Sequence, residues 1–227
     1  MNAITPADRK YIFQFLEDLS NNNSKDWMDA NRKRYEQAKK LWLIQIQHIL
    51  HRLAKHDELY LTIEPKKTIS RITNNRMFHP EKPIYKEFFA CEPAGKRDEG
   101  VLLFMAIGPN DCFIGGGFWK PEKEIIDQIR EAIDYDGEEL QRIIDSEPFQ
   151  HFYGGLGEDP DKLKTSPQNY PGDHPHIELL RHKNFIAYHS FEPEEFFADS
   201  FLDLVEEAYL TIEPFAEYLK KALTVGA

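Results

Sequence analysis

The hydrophobic pattern changes period near residue 58, and that change restricts the chain to folds that join helices to a sheet. Upstream, Ile12, Phe15, Leu16 and Leu19, then Leu43, Ile46, Ile49, Leu50 and Leu53, recur at three- and four-residue spacing, which places them on one face of a helix. Thr5, Pro6 and Asp8 carry the marks of a helix start: a capping hydroxyl, a proline at the first helical position and an acid in the first turn. Asn21, Asn22 and Asn23 stop that helix, and Ser24 can cap the next, which carries Trp27 and Tyr35. Downstream, LYLTI from Leu59, then KTISRI, KEFFAC, VLLFMAI and DCFIGGGFW, are short runs rich in aromatic and β-branched residues and bounded by Pro, Gly and Asn. Such runs predict strands. The turn Gly108-Pro109-Asn110-Asp111 between the last two is too short for a helical crossover, so the strands are expected to be antiparallel.

Beyond the strands the helical period returns. Pro121 is expected to open a helix with Ile125, Ile126, Ile129 and Ile133 on its apolar side, followed by a short helix over 138–144. Residues 149–175, rich in Gly and Pro, read as a long loop, with the part from Gly154 to Gly172 a candidate lid. His176 to Arg181 reads as a helical turn, Phe185 to Phe191 as a strand, and Pro193 to Leu223 as one or two helices. The expectation is a single α+β domain over 1–227, a mainly antiparallel sheet packed against N- and C-terminal helices. It has a helical part at 5–57, a sheet-forming part at 59–120 and a mixed part at 121–227. A domain of this length can bury roughly 70% of the surface its unfolded chain exposes, so one core suffices.

Charge narrows the partners. The formal net charge of -11 disfavours nucleic acid and anionic membrane surfaces. No stretch approaches the roughly 18 apolar residues of a membrane span, and two cysteines without a CxxC support neither a disulfide framework nor a cysteine zinc site. A reducing cytoplasm is the simplest setting. Within this acidic chain, residues 65–86 carry six lysines and arginines against one acid, whereas residues 191–227 carry nine acids against two lysines.

Several stretches taken together resemble the uncharacterised family known as domain of unknown function 2461. They are Asn22-Asn23 with Trp27, Asn31 and Tyr35; Arg71-Ile72 with Phe78, Lys82, Tyr85 and Lys86; Gly115-Gly116-Gly117 with Trp119 and Pro121; and His174-Pro175 with Glu178-Leu179-Leu180, Lys183 and Phe185. The resemblance spans nearly the whole chain and implies no activity or cofactor. The chain departs from the family pattern where Asn74 and Asn75 stand in place of an Arg-Asp pair, and where Ile84 stands in place of a proline.

The basic segment is the first site candidate. Arg71 and Arg76 can make forked hydrogen bonds to a phosphate or carboxylate, with Lys82 and Lys86 as point charges and Tyr85 orienting or stacking. Lys120 beside the glycine run and His174 are possible additions. The expected partner is then a small phosphorylated or carboxylated compound. The competing expectation is a non-catalytic interaction or structural module, in which the same bases pair with acidic surface or with the chain's own C-terminal carboxylates. Gly115 to Gly117 either bring backbone N–H groups to an anion or relieve a close approach of strands. His174 and His176 are weak metal candidates, because no further ligands stand at a fixed spacing, and no metal is assigned. Cys91 has no visible activating partner. Trp27, Tyr35, Trp42 and Trp119 are read as core unless they wall a pocket.

Overall fold

The computed structural model describes residues 4–77, 79–94 and 103–224. Its elements, in chain order, are α1 (Pro6–Asn21), α2 (Lys25–Ala30), α3 (Arg32–Leu53), a 3-10 helix (Glu58–Thr62), α4 (Pro65–Thr68), β1 (Phe89–Cys91), β2 (Phe104–Ile107), β3 (Phe113–Phe118), α5 (Lys123–Ile144), α6 (Glu147–Tyr153), α7 (Ile177–Leu180), β4 (Phe185–Ser190), α8 (Pro193–Phe197) and α9 (Phe201–Thr224). The class is α+β, with a four-stranded antiparallel sheet in the order β1-β2-β3-β4. The β1–β2 register pairs Ala90 with Ala106.

Two expected strands are absent. LYLTI forms the 3-10 helix, started by the Asp57 carboxylate, which accepts from the Leu59 amide at 2.9 Å. Only Tyr60 of its apolar residues is buried, and Leu59 and Leu61 face outward. KTISRI begins in α4 and then makes one isolated bridge, Ile69 to Cys91, and Thr73 just after it makes another, to Tyr85. Pro121 lies two residues ahead of α5, whose N-cap is Glu122. The expected break before residue 138 is a kink within α5 at Asp136 (φ -144°, ψ 53°). The start of the expected long loop is helical, as α6.

The chain divides into two compact units. The first comprises residues 1–99, 104–114 and 190–207. Its N-terminal helix starts as the sequence requires: Thr5 and Asp8 form a reciprocal capping box. Ile12, Phe15, Leu16 and Leu19 of α1 and Trp42, Ile46, Ile49 and Leu53 of α3 are buried. Phe89 of β1 enters this core between Phe15 and Trp42, with ring centroids 6.3 and 6.1 Å away. The C-terminal end of α3 is held by charge. Arg52 lies 2.6 Å from Asp203 and 2.8 Å from Glu206, whose second oxygen meets His56 Nε2 at 2.8 Å.

The second unit comprises residues 100–103, 115–189 and 208–227. Its core includes Ile129, Ile133 and Leu140 of α5, Phe149 of α6 and Phe215 of α9, with the two phenylalanine rings 5.7 Å apart. Here the loop that follows α6 is tied down. Gly157 N–H donates to Ile186 O at 2.8 Å and Leu163 N–H to Arg181 O at 2.9 Å. Between them, the fully buried Asp159 side chain accepts from the amides of Lys183 (2.6 Å) and Asn184 (3.0 Å) and from the Asn184 side chain (2.5 Å).

Burial pushes the Asp159 carboxyl up, but the N–H donors of Asn184, Lys183 and Asp161 outweigh it and hold the group below the ordinary aspartate value. A depressed folded pKa stabilises above the unfolded value, about 3.9, and that contribution is lost as pH falls through the folded pKa. Asp159→Asn should therefore remove part of the loss of stability below about pH 4, read as a flatter dependence of urea midpoint on pH. An unchanged acid slope in the variant would reject this role.

A basic cleft on the third helix

Arg71 is placed by two backbone devices. The bridge from Ile69 to Cys91 and that from Thr73 to Tyr85 pin the segment on either side of it. Lys86 N–H donates to Ile72 O at 2.6 Å and Asn74 N–H to Ile84 O at 3.1 Å, so residues 72–74 and 84–86 run as an irregular antiparallel pair. Asn23, which the sequence marks only as a helix stop, anchors this pair. Its side-chain amide donates to Tyr85 O at 2.9 Å and accepts from Tyr85 N–H at 3.0 Å, as a neighbouring strand would. Asn23→Ala should lower stability by about 1–3 kcal/mol, since it leaves a half-buried amide and carbonyl unpaired. Faster hydrogen exchange at the Tyr85 amide would verify it, and unchanged protection would refute it.

The result is a cleft of about 490 Å³. Its floor is aromatic: Tyr35 and Trp42 of α3 and Phe89 of β1, all buried. Its rim carries Lys39, Lys66 and Arg71, and Ser70 and Thr73 also line it. Tyr35 and Lys39 lie four residues apart on α3, and the Lys39 ammonium sits 5.8 Å from the Tyr35 ring centre. Burial, reinforced by Glu36, pushes the Tyr35 hydroxyl above its ordinary pKa, so it is a proton donor at neutral pH. The Trp42 indole N–H is buried without an acceptor among the described residues.

Among the described residues, none of Lys39, Lys66 and Arg71 forms an ion pair with a carboxylate, although the chain carries 39 acids. Glu64 is occupied by Lys67 at 2.8 Å. Asp203 and Glu206, in the acidic C-terminal segment, are engaged by Arg52 and His56.

The remaining sequence candidates scatter. Lys86 does not line the cleft, but its ammonium donates to Ser70 Oγ at 3.1 Å, and burial together with the charge of Lys82 lowers its pKa. Tyr85 is buried and acts through its backbone. Arg76 is exposed and bonds Pro80 O at 3.2 Å, and Lys82 is exposed. Of the family-pattern residues in this segment, Phe78 lies outside the described residues.

Lys120 and His174 belong to the second unit. Lys120 has a left-handed backbone (φ 49°), donates its N–H to Asn184 Oδ1 at 2.6 Å and holds its ammonium 3.7 Å from Asp161. Gly115 and Gly117 serve close packing, since a Cβ at either would run into the backbone of β4. His174 Nε2 meets Asp134 at 3.0 Å and its Nδ1 accepts the His176 amide, while His176 rests against Gly137. Both histidines are thus engaged in holding α7 to α5, and among the described residues no three potential ligands are grouped for a metal. Cys91 is buried with its thiol pushed up by desolvation, and Cys112 is pushed up to about 11 for the same reason, so neither is an activated nucleophile. No helix among the described residues is long and apolar enough to cross a membrane.

Sequence reasoning found Arg71 through local charge contrast and missed Lys39, which stands more than thirty residues away on α3. Lys66 lies within the basic segment 65–86 but was not assigned to the site. Sequence reasoning held Tyr35 and Trp42 as core residues that would matter only as a pocket wall, which is the position they occupy.

A family model described as a conserved hypothetical protein, DUF2461, matches residues 11–218. No curated protein and no solved structure matches the chain.

Proposed function

We propose, for a chain that belongs to the conserved hypothetical family DUF2461, that the cleft bounded by Lys39, Lys66 and Arg71 binds a small phosphorylated or carboxylated compound. The observation that carries this reading is a rim of three cations that form no ion pair with a carboxylate among the described residues of an acidic protein. Arg71 offers a planar fork, the lysines offer point charges, and Ser70 and Thr73 add hydroxyl donors, a set suited to a compact oxyanion. The cleft volume falls within the range usual for small-molecule sites. The net charge of -11 supports a compact anion over a nucleic-acid backbone. The buried thiols of Cys91 and Cys112 fit a reducing, cytoplasmic setting.

The test is a thermal-shift panel of sugar phosphates, nucleotides and dicarboxylates at low salt. A binding compound at about 100 times its dissociation constant should add roughly 2.7 kcal/mol of stability. Arg71→Ala should abolish that gain and leave the unliganded protein within about 0.5 kcal/mol of wild type, because the side chain is exposed and makes no ion pair among the described residues. A marked drop in the unliganded variant would favour a structural role for Arg71. No shift with any compound would overturn the binding reading.

A further inference from the structure

A second cleft, of about 660 Å³, lies along the next turns of α3. Lys39 and Lys66 line both clefts, so the two share a wall made of lysine side chains. The second cleft differs in chemistry. Its lining from α3 includes positions 36, 40, 43, 44 and 47, one face of the helix, with Leu43 and Ile44 half-buried at the centre of the stripe and Pro65 opposite. Glu36 and Glu64 line it together with Lys39, Lys40, Lys66 and His48, so its charge is mixed, whereas the lining of the first cleft carries cations and no carboxylate. A lysine stem is four methylenes long and can cover apolar surface while its ammonium reaches a charge beside it. The shared wall therefore suits one molecule whose charged and apolar parts lie on its two sides.

We infer that the two clefts are halves of one ligand site and that the ligand class is an anionic head carrying an apolar tail. The head lies against Arg71, Ser70 and Thr73; the tail lies along Leu43, Ile44 and Pro65. This rests on the anion-binding reading above and adds to it a preference that a site for bare phosphate or a dicarboxylate would not show.

Calorimetric titration with inorganic phosphate, propyl phosphate and hexyl phosphate, at low salt and below micelle-forming concentrations, separates the two claims. Each methylene buried in the second cleft should tighten binding about fourfold. The ratio of hexyl to inorganic phosphate affinity should fall at least tenfold in Leu43→Ser, and likewise in Ile44→Ser, with thermal unfolding of each variant confirming that it folds. Phosphate binding with less than a twofold gain across the wild-type series would overturn the tail site and leave the anion site standing. A chain-length gain unchanged in both variants would also overturn it. Binding of none of the three would overturn the head-and-tail site, whereas the anion reading falls only if the panel above also gives no shift.

Discussion

Replacing Gly117 with alanine should destabilise the protein by roughly 3–5 kcal/mol, combining backbone strain of about 1–3 kcal/mol with overpacking of similar size. The residue has φ +105°, a conformation that residues with a Cβ rarely adopt. An added methyl would overlap the Phe185 carbonyl oxygen and lie 2.9 Å from Ile186 Cα. Both obstacles are backbone atoms of β4, which cannot rotate away as a side chain would. Gly154 supplies the control: it also has positive φ, +71°, but open space where its Cβ would stand. Gly154→Ala should show the strain alone, about 1–2 kcal/mol. Urea midpoints for the two variants would separate strain from collision, and a Gly117→Ala variant no less stable than Gly154→Ala would refute the account.

Arg9→Met should remove about 3–5 kcal/mol. The Arg9 side chain, only 4% exposed, donates to Gln45 Oε1 at 3.1 Å, to Phe197 O at 2.9 Å and to Ala198 O at 2.5 Å. The two carbonyls stand at the C-terminal end of α8, where Ala198 O also accepts from Phe201 N–H at 3.1 Å and Arg9 supplies the bond to Phe197 O. Methionine preserves much of the volume and leaves Gln45 Oε1 and Phe197 O unpaired, each at about 1–3 kcal/mol before relaxation, while Ala198 O keeps the Phe201 amide. Burial lowers the Arg9 pKa, with Asp199 and Asp8 opposing, and the guanidinium remains the charged donor. Arg9→Lys should recover only part of the loss, because an ammonium cannot reproduce the spread of the fork. Gln45 sits on α3 one turn from Trp42, so the same bonds fix the helix that carries Tyr35, Lys39 and Trp42. Full stability in Arg9→Met would show that Gln45 Oε1 and Phe197 O find other partners.

The N-terminal helices were legible because capping and apolar spacing agree there: Thr5, Pro6 and Asp8 open α1, and Ser24 caps α2. LYLTI misleads because alternation in a run of five residues suits a 3-10 turn as well as a strand, and the deciding contact is the local bond from Leu59 N–H to Asp57. The cleft was half legible. Arg71 stands out by charge within its own segment, whereas helix periodicity reports that Tyr35 and Trp42 are on a buried stripe and is silent about what lies at the stripe's margin. Segment charge counts also do not assign partners. The acids of residues 203–206 meet Arg52 and His56, whose local sequence carries no comparable excess of positive charge.

The bridge between Ile69 and Cys91 bears on how the protein meets other chains. β1 is an outer strand of the sheet and only three residues long, and an outer strand with free N–H and C=O groups is a template for strand addition and aggregation. Here that side of Cys91 is taken by Ile69, and Glu92 N–H is taken by Thr68 O at 2.9 Å. The segment that presents Arg71 therefore also blunts the sheet edge, so a peptide cannot extend the sheet at this point by backbone pairing. Recognition on this side must run through side chains.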